Sequence, residues 1–294
     1  MTIAPSISYG KSPSGYRLPE ATRLGRVHLQ VADLNRSLEY YSNVLGLQVV
    51  EQKDGRAVLG AHADPTPLVE LSERPGATPV PRRGRLGLYH FAILLPNRAA
   101  LGSFARHLAD IGARAGASDH LVSEAFYLQD PDGLGIEVYA DRPRSSWQVH
   151  EQQLQMTTEP LDADDLVQAA TEPWAGMPSG TVIGHVHLHV ADLREAASFY
   201  HEALGFDAVV WSYPGALFLS AGGYHHHLGL NTWAAGAPTA QADDARLLDW
   251  EVITPTPTDA DAAASNLRHH GYDLTREDGG WRVTDPWGTS LRIR

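Results

Sequence analysis

A histidine, a tyrosine and a glutamate stand close together in the stretch GASDHLVSEAFYLQDPDGLGIE at 116–137: His120, Tyr127 and Glu137. Histidine exchanges a proton near neutral pH and suits acid–base work. Glu137 lies in GIEVY, where period-two alternation sends Ile136 and Val138 to one face and Glu137 with Tyr139 to the other. A carboxylate in so apolar a strand needs a partner, and a metal ion is one of the few that suffice. Between Tyr127 and Glu137 the tetrapeptide Asp130-Pro131-Asp132-Gly133 reads as a tight turn. The two residues then sit on neighbouring strands of one hairpin, able to face one cavity. Taken alone, His120 reads equally as a loop histidine and Tyr127 as a core aromatic.

Composition narrows the chemistry. The chain has no cysteine, which excludes disulfides, thiolate metal sites and a cysteine nucleophile and leaves histidine and carboxylate as the strong metal ligands. A formal charge of −12 argues against nucleic acid as a partner. No run of eighteen apolar residues occurs, and the N-terminus lacks the apolar core of a signal peptide, so a cytoplasmic protein with no membrane contact is expected. With 294 residues and 43% hydrophobic composition, two domains with real cores are affordable.

The elements that position these residues repeat. From Leu24 the order is a strand (RVHLQV), an amphipathic helix (LNRSLEYYSNVLG, closed by Gly46), and strands near LQVVEQ, RAVLGA and PLVELSE. The same β-α-β-β-β order returns at 86–141. The segment at 25–47, GRVHLQVADLNRSLEYYSNVLGL, then matches GHVHLHVADLREAASFYHEALGF at 184–206 without a gap, the mark of duplication. A fourth, degenerate unit runs from Leu247, and its DPWG aligns with the DPDG at 130. The expected organisation is an N-terminal arm at 1–23 lying on the first domain, a first domain at 24–141, a linker with a short helix at 142–180, and a second domain at 181–294.

The spacing of His120, Phe126, Tyr127, Asp130, Pro131, Gly133 and Glu137 resembles the signature of the extradiol ring-cleaving dioxygenases. These belong to the vicinal-oxygen-chelate superfamily, which also holds glyoxalase I and the bleomycin-resistance proteins. Ser118 departs, standing where that signature usually has Asn, Thr, Ile or Val. Phrases such as GLYHFAILLP, SDHLVSE and GYHHHLGLNTW make nearly the whole chain from Tyr16 similar to the bacillus-type catechol 2,3-dioxygenase branch. The resemblance implies an α+β fold of four βαβββ modules paired into two vicinal-oxygen-chelate domains, with ligands on the first strand of each module and on the last strand.

Carried onto the first domain, that map implies a metal held by His28, His90 and Glu137, a facial triad whose open positions suit non-haem Fe(II). Mn(II) takes the same ligands. The resemblance gives His120 and Tyr127 catalytic, substrate-facing roles, and implies a small aromatic diol and O2 as reactants; a homo-oligomer is compatible with it. Glu70 stands about where glyoxalase I completes a four-ligand site, which would favour Ni(II) or Zn(II) and a lyase or isomerase; its plainer role is a partner for Arg82, Arg83 or Arg85. A third alternative is a metal-free binding or resistance protein, with His28 and His90 as ordinary strand residues. Two-domain relatives carry a further acid–base histidine before the last strand of the module that supplies the first ligand. In the first domain His62 is near but out of register, whereas Tyr224-His225-His226-His227 stands at that place in the second. There Asp249 aligns with His90 and Arg292 with Glu137, so the second domain reads as a decayed, mainly structural copy. The alternative is a second metal on the histidine run with His187 or Asp249.

Overall fold

The computed structural model describes residues 9–277 and 279–294. Module one comprises β1 (Arg23–Val31), α1 (Leu34–Asn43), β2 (Gln48–Lys53), β3 (Arg56–Gly60) and β4 (Pro67–Glu73). Module two comprises β5 (Gly87–Leu94), α2 (Arg98–Asp110), β6 (Gly116–Asp119), β7 (Ser123–Gln129) and β8 (Gly135–Asp141). The linker carries the short strands β9 (Val149–His150) and β10 (Gln153–Leu154) and helix α3 (Ala163–Gln168). Module three follows with β11 (Val182–His189), α4 (Leu193–Ala196) continued by a π-helical stretch (Ala197–Ala203), β12 (Asp207–Val210), β13 (Ala216–Ser220) and β14 (Leu228–Asn231). Module four is β15 (Arg246–Ile253), α5 (Pro257–His269), β16 (Leu274–Glu277), β17 (Gly280–Thr284) and β18 (Ser290–Ile293).

Each module helix starts on a side-chain cap. Asp33, Asn97 and Asp192 accept from backbone N–H groups of the first turn, and Thr256 forms a reciprocal capping box with Asp259. These caps lie just past the first strand of their modules, so every strand hands over to its helix at the same point.

The modules form two mixed eight-stranded sheets, but not in sequence order. One sheet runs β16-β17-β18-β15-β1-β4-β3-β2 and joins modules one and four; the other runs β12-β13-β14-β11-β5-β8-β7-β6 and joins modules two and three. In each, two first strands meet antiparallel at the centre, β1 with β15 and β11 with β5. The expected division at 24–141 and 181–294 therefore does not coincide with the sheets. Residues 74–86, between β4 and β5, reach about 40 Å when extended, ample for the chain to change sheets between modules. What ties sequence-adjacent modules together is side-chain bonding: Tyr41 of α1 donates to Asp130 in module two, and Tyr200 to Asp285 in module four. The main apolar core runs through both sheets, with Tyr41, Phe91, Phe104, Phe199 and Trp250 among its buried members.

The described part of the N-terminal arm lies on module three rather than on the first two modules, and its residues 1–8 fall outside the described residues. Lys11 pairs with Ala208, and the Arg17 guanidinium bonds the Asp207 carboxylate at 2.6 Å. Among the described residues, no helix is long and apolar enough to cross a membrane.

Candidate metal centre

The site is built on β5, the strand at which modules two and three meet. Ala92 of β5 pairs with Glu137 of β8 on one side and with His185 of β11 on the other. Its side chain is a single methyl group, which leaves room for its two neighbours to converge. His90 stands two residues away on the same face of β5. His90 Nε2 lies 3.0 Å from Glu137 Oε2, His185 Nε2 lies 3.1 Å from the same oxygen, and the two imidazole nitrogens are 3.3 Å apart. All three side chains are buried.

The donor set fits a divalent metal. At metal–ligand distances of about 2.1 Å, adjacent octahedral ligand atoms are separated by about 3.0 Å and tetrahedral ones by about 3.4 Å, which brackets the three separations here. Protonation agrees with this. Burial pushes the His90 and His185 imidazoles below their ordinary value, against the attraction of Glu137, so their nitrogen lone pairs are available at neutral pH. Burial pushes Glu137 up, but the two imidazoles outweigh it and hold its carboxyl well below the usual range.

His28 is not part of this group. It lies on β1 in the other sheet, with Nδ1 3.0 Å from Asp249 Oδ2 and Nε2 2.8 Å from Ser72 Oγ. Its place is taken by His185, which sequence reasoning missed. Since β1 pairs with β15 rather than with β5, a first-module histidine cannot reach β8. A signal was present: HVHLHV puts His185, His187 and His189 on one face of β11, and comparing modules at position 187 alone overlooked its neighbour two residues back. Glu70 also lies in the other sheet, pairing with Arg26 at 3.1 Å rather than with Arg82, Arg83 or Arg85.

At the decayed position itself, ion pairs stand where ligands would. The register that sets His187 opposite His90 sets His28 opposite Asp249, and the one that sets Ala92 opposite Glu137 sets Glu251 opposite Arg292. Asp249 is approached by Arg292 at 3.3 Å and by Arg26, the counterpart of His185, at 3.4 Å. Guanidinium groups supply there the positive charge that a cation would.

The three residues open onto a cavity of about 210 Å³ whose other walls include Tyr89, Phe218, Trp233 and His226. His120 and Tyr127 line it too. Tyr127 is paired directly with Glu137 across β7 and β8. His120 Nδ1 lies 2.5 Å from the Thr157 carbonyl, which can only accept, so this nitrogen carries the proton. Nε2 is then an acceptor, and the Tyr127 hydroxyl, 2.6 Å away, donates to it. Burial, reinforced by the charge of Glu137, keeps the Tyr127 phenol protonated. Linker residues Met156, Thr157 and Thr158 form part of the same wall.

The histidine run after β13 does not converge on one point. His225 Nε2 lies 2.9 Å from Asp141 Oδ1 and donates to it, so His225 Nδ1 accepts from His226 Nδ1 at 2.7 Å. This leaves His226 Nε2 with its lone pair, on a ring whose centroid is 4.1 Å from that of His185. His227 instead turns to Ser220 and the Ala221 N–H.

Residues 23–138 and 182–293 match the model of the Glyoxalase/Bleomycin resistance protein/Dioxygenase superfamily. A catechol-2,3-dioxygenase of Bacillus subtilis (strain 168) is 46% identical over 272 residues, spanning 91% of this chain and 95% of that protein. Among solved structures, a proposed dioxygenase from Bacillus subtilis aligns with a TM-score of 0.65 at 14% identity, over 95% of this chain and 86% of that one. Glyoxalase I from Zea mays aligns with a TM-score of 0.54 at 19% identity, over 93% and 92%. The two structural likenesses speak to the fold, while the family match covers both halves of the chain. The chain belongs to the Glyoxalase/Bleomycin resistance protein/Dioxygenase superfamily.

Proposed function

We propose that this protein is an extradiol dioxygenase that opens a catechol-type ring with O2, using a divalent non-haem metal held by His90, Glu137 and His185. The observation that carries the reading is the convergence of two neutral imidazoles and one carboxylate on a ring-sized cavity. The 46%-identical catechol-2,3-dioxygenase of Bacillus subtilis supports the reaction class. Fe(II) is the metal we assign, with Mn(II) able to use the same ligands. When bound, it supplies vacant positions for a diol and for dioxygen, and the redox chemistry between them.

The protein's own contribution is positioning and proton transfer. Phe218, Trp233 and Tyr89 give the cavity aromatic walls that hold a planar ring and exclude water. His226 Nε2 takes a proton from a substrate hydroxyl, and the Asp141–His225 pair fixes the tautomer that makes this possible. The Tyr127 hydroxyl, which donates to His120, presents its oxygen to the same cavity and orients a substrate hydroxyl by accepting from it, and the proton taken up at His226 Nε2 is the one returned.

The test is metal analysis of anaerobically purified protein followed by an oxygen-electrode assay with catechol. The reading expects about one iron per chain, O2 uptake and a yellow ring-opened product. Metal-replete protein that consumes no O2 with any catechol contradicts it.

A further inference from the structure

A second cavity, of about 440 Å³, shares Tyr89, His90 and Tyr127 with the first and so adjoins the metal centre. Its outer wall is basic in a protein whose formal charge is −12. Arg82, Arg83, Arg85 and Arg114 line it, and among the described residues no aspartate or glutamate does. Arg85 is engaged with Asp244, at 2.6 and 3.2 Å. No described carboxylate pairs with Arg82, Arg83 or Arg114. Three arginines whose guanidiniums pair with no described carboxylate therefore line this space.

The loop that presents two of them is fixed. Val80 N–H donates to the Asp132 carbonyl and Leu86 N–H to the Pro238 carbonyl, both ends being held by backbone bonds. At Gly133 a Cβ would come within 2.4 Å of the Val80 oxygen, so the Asp130–Gly133 turn closes onto this loop only because it ends in glycine. Arg83 itself adopts φ +55, a conformation non-glycine residues seldom take, and one that surrounding structure must hold in place.

We infer that this basic cavity binds a carboxylate carried on a side chain of the ring, so that catechols with an anionic substituent are preferred over unsubstituted or alkylated ones. The inference rests on the ring-cleavage reading of the adjoining site. Guanidinium binds carboxylate through paired N–H···O bonds, and a patch of like charge beside a cleft also raises the arrival rate of anions in a salt-dependent way. A carboxylate held there leaves the diol end of the ring pointing across Tyr89 and His90 to the metal centre.

The experiment has two arms. In the first, kcat/KM is compared for 3,4-dihydroxyphenylacetate and 4-methylcatechol in wild type and in the R82A/R83A/R114A variant. The wild-type ratio is expected to favour the carboxylate by about ten- to a hundredfold, the worth of one or two charged hydrogen bonds, and to fall toward one in the variant and with added salt. In the second, calorimetry measures phenylacetate, which lacks the diol, against both proteins at equal unfolding midpoints. Binding to wild type and at least about tenfold weaker binding to the variant support the site even if no catechol is opened, in which case the ring-cleavage reading fails alone. Ring opening without preference for the carboxylate, or phenylacetate affinity unchanged in the variant, overturns the carboxylate site and leaves ring cleavage standing.

Discussion

His28 Nδ1 lies 3.0 Å from Asp249 Oδ2, and this pair occupies in one sheet the register position that His187 and His90 occupy in the other. Around it Arg26, Arg292 and Glu70 complete a partly buried ionic network where the companion sheet carries its imidazoles and carboxylate. Burial raises Asp249, and His28 and the nearby arginines more than offset this, leaving the carboxyl below its ordinary range.

Replacing His28 is therefore expected to cost stability and not metal. His28→Ala removes buried hydrogen bonds to Asp249 and Ser72, a loss of about 1–3 kcal/mol. Glu70→Gln likewise leaves metal content intact. Chemical denaturation and metal analysis on the same samples check both.

His226→Gln keeps the metal ligands and removes the lone pair assigned to proton transfer, so kcat falls by about 10²–10⁴-fold. Asp141→Asn acts through His225: it lowers kcat with little change in KM, because the substrate still meets the same walls. Steady-state kinetics with iron-loaded protein separate these from a general loss of structure.

Tyr127→Phe removes the hydroxyl that donates to His120 and faces the cavity beside Glu137. A loss of roughly 1–3 kcal/mol in transition-state stabilisation, about ten- to a hundredfold in kcat/KM, is expected at unchanged metal content.

Two buried carboxyls in the interior turns give a pH signature unrelated to the metal centre. Burial pushes Asp130 up to about 7 and Asp285 up to about 6, although each accepts two turn N–H groups and a tyrosine hydroxyl. A carboxyl whose folded value is raised stabilises the fold fully below its unfolded value, near 4, and that contribution is lost as pH rises through 6 to 7. In Asp130→Asn this part of the decline is absent. Unfolding midpoints of wild type and variant, measured from pH 4 to 8, should move apart in the variant's favour as pH rises.

Much of this was legible beforehand for definite reasons. The hairpin that sets Tyr127 opposite Glu137 is local, dictated by the turn at Asp130–Gly133 and by alternation in GIEVY. The four modules were visible because the duplication at 25–47 and 184–206 is still readable. Which modules share a sheet is a long-range matter, decided by the pairing of β5 with β11, and no local pattern encodes it. That one unknown keeps His28 away from His90 and Glu137, brings His185 to them, and sets His226, backed by His225 and Asp141, at the same cavity. The arginine-lined space was equally hidden, since Arg82, Arg83 and Arg114 meet only when the loop at 80–86 folds over module two.

The most direct measurement is metal content in three proteins purified side by side without oxygen: wild type, His185→Ala and His28→Ala. The account predicts about one metal per chain in wild type and in His28→Ala, and near none in His185→Ala, with all three folded by circular dichroism. Metal retained in His185→Ala and lost from His28→Ala would contradict it.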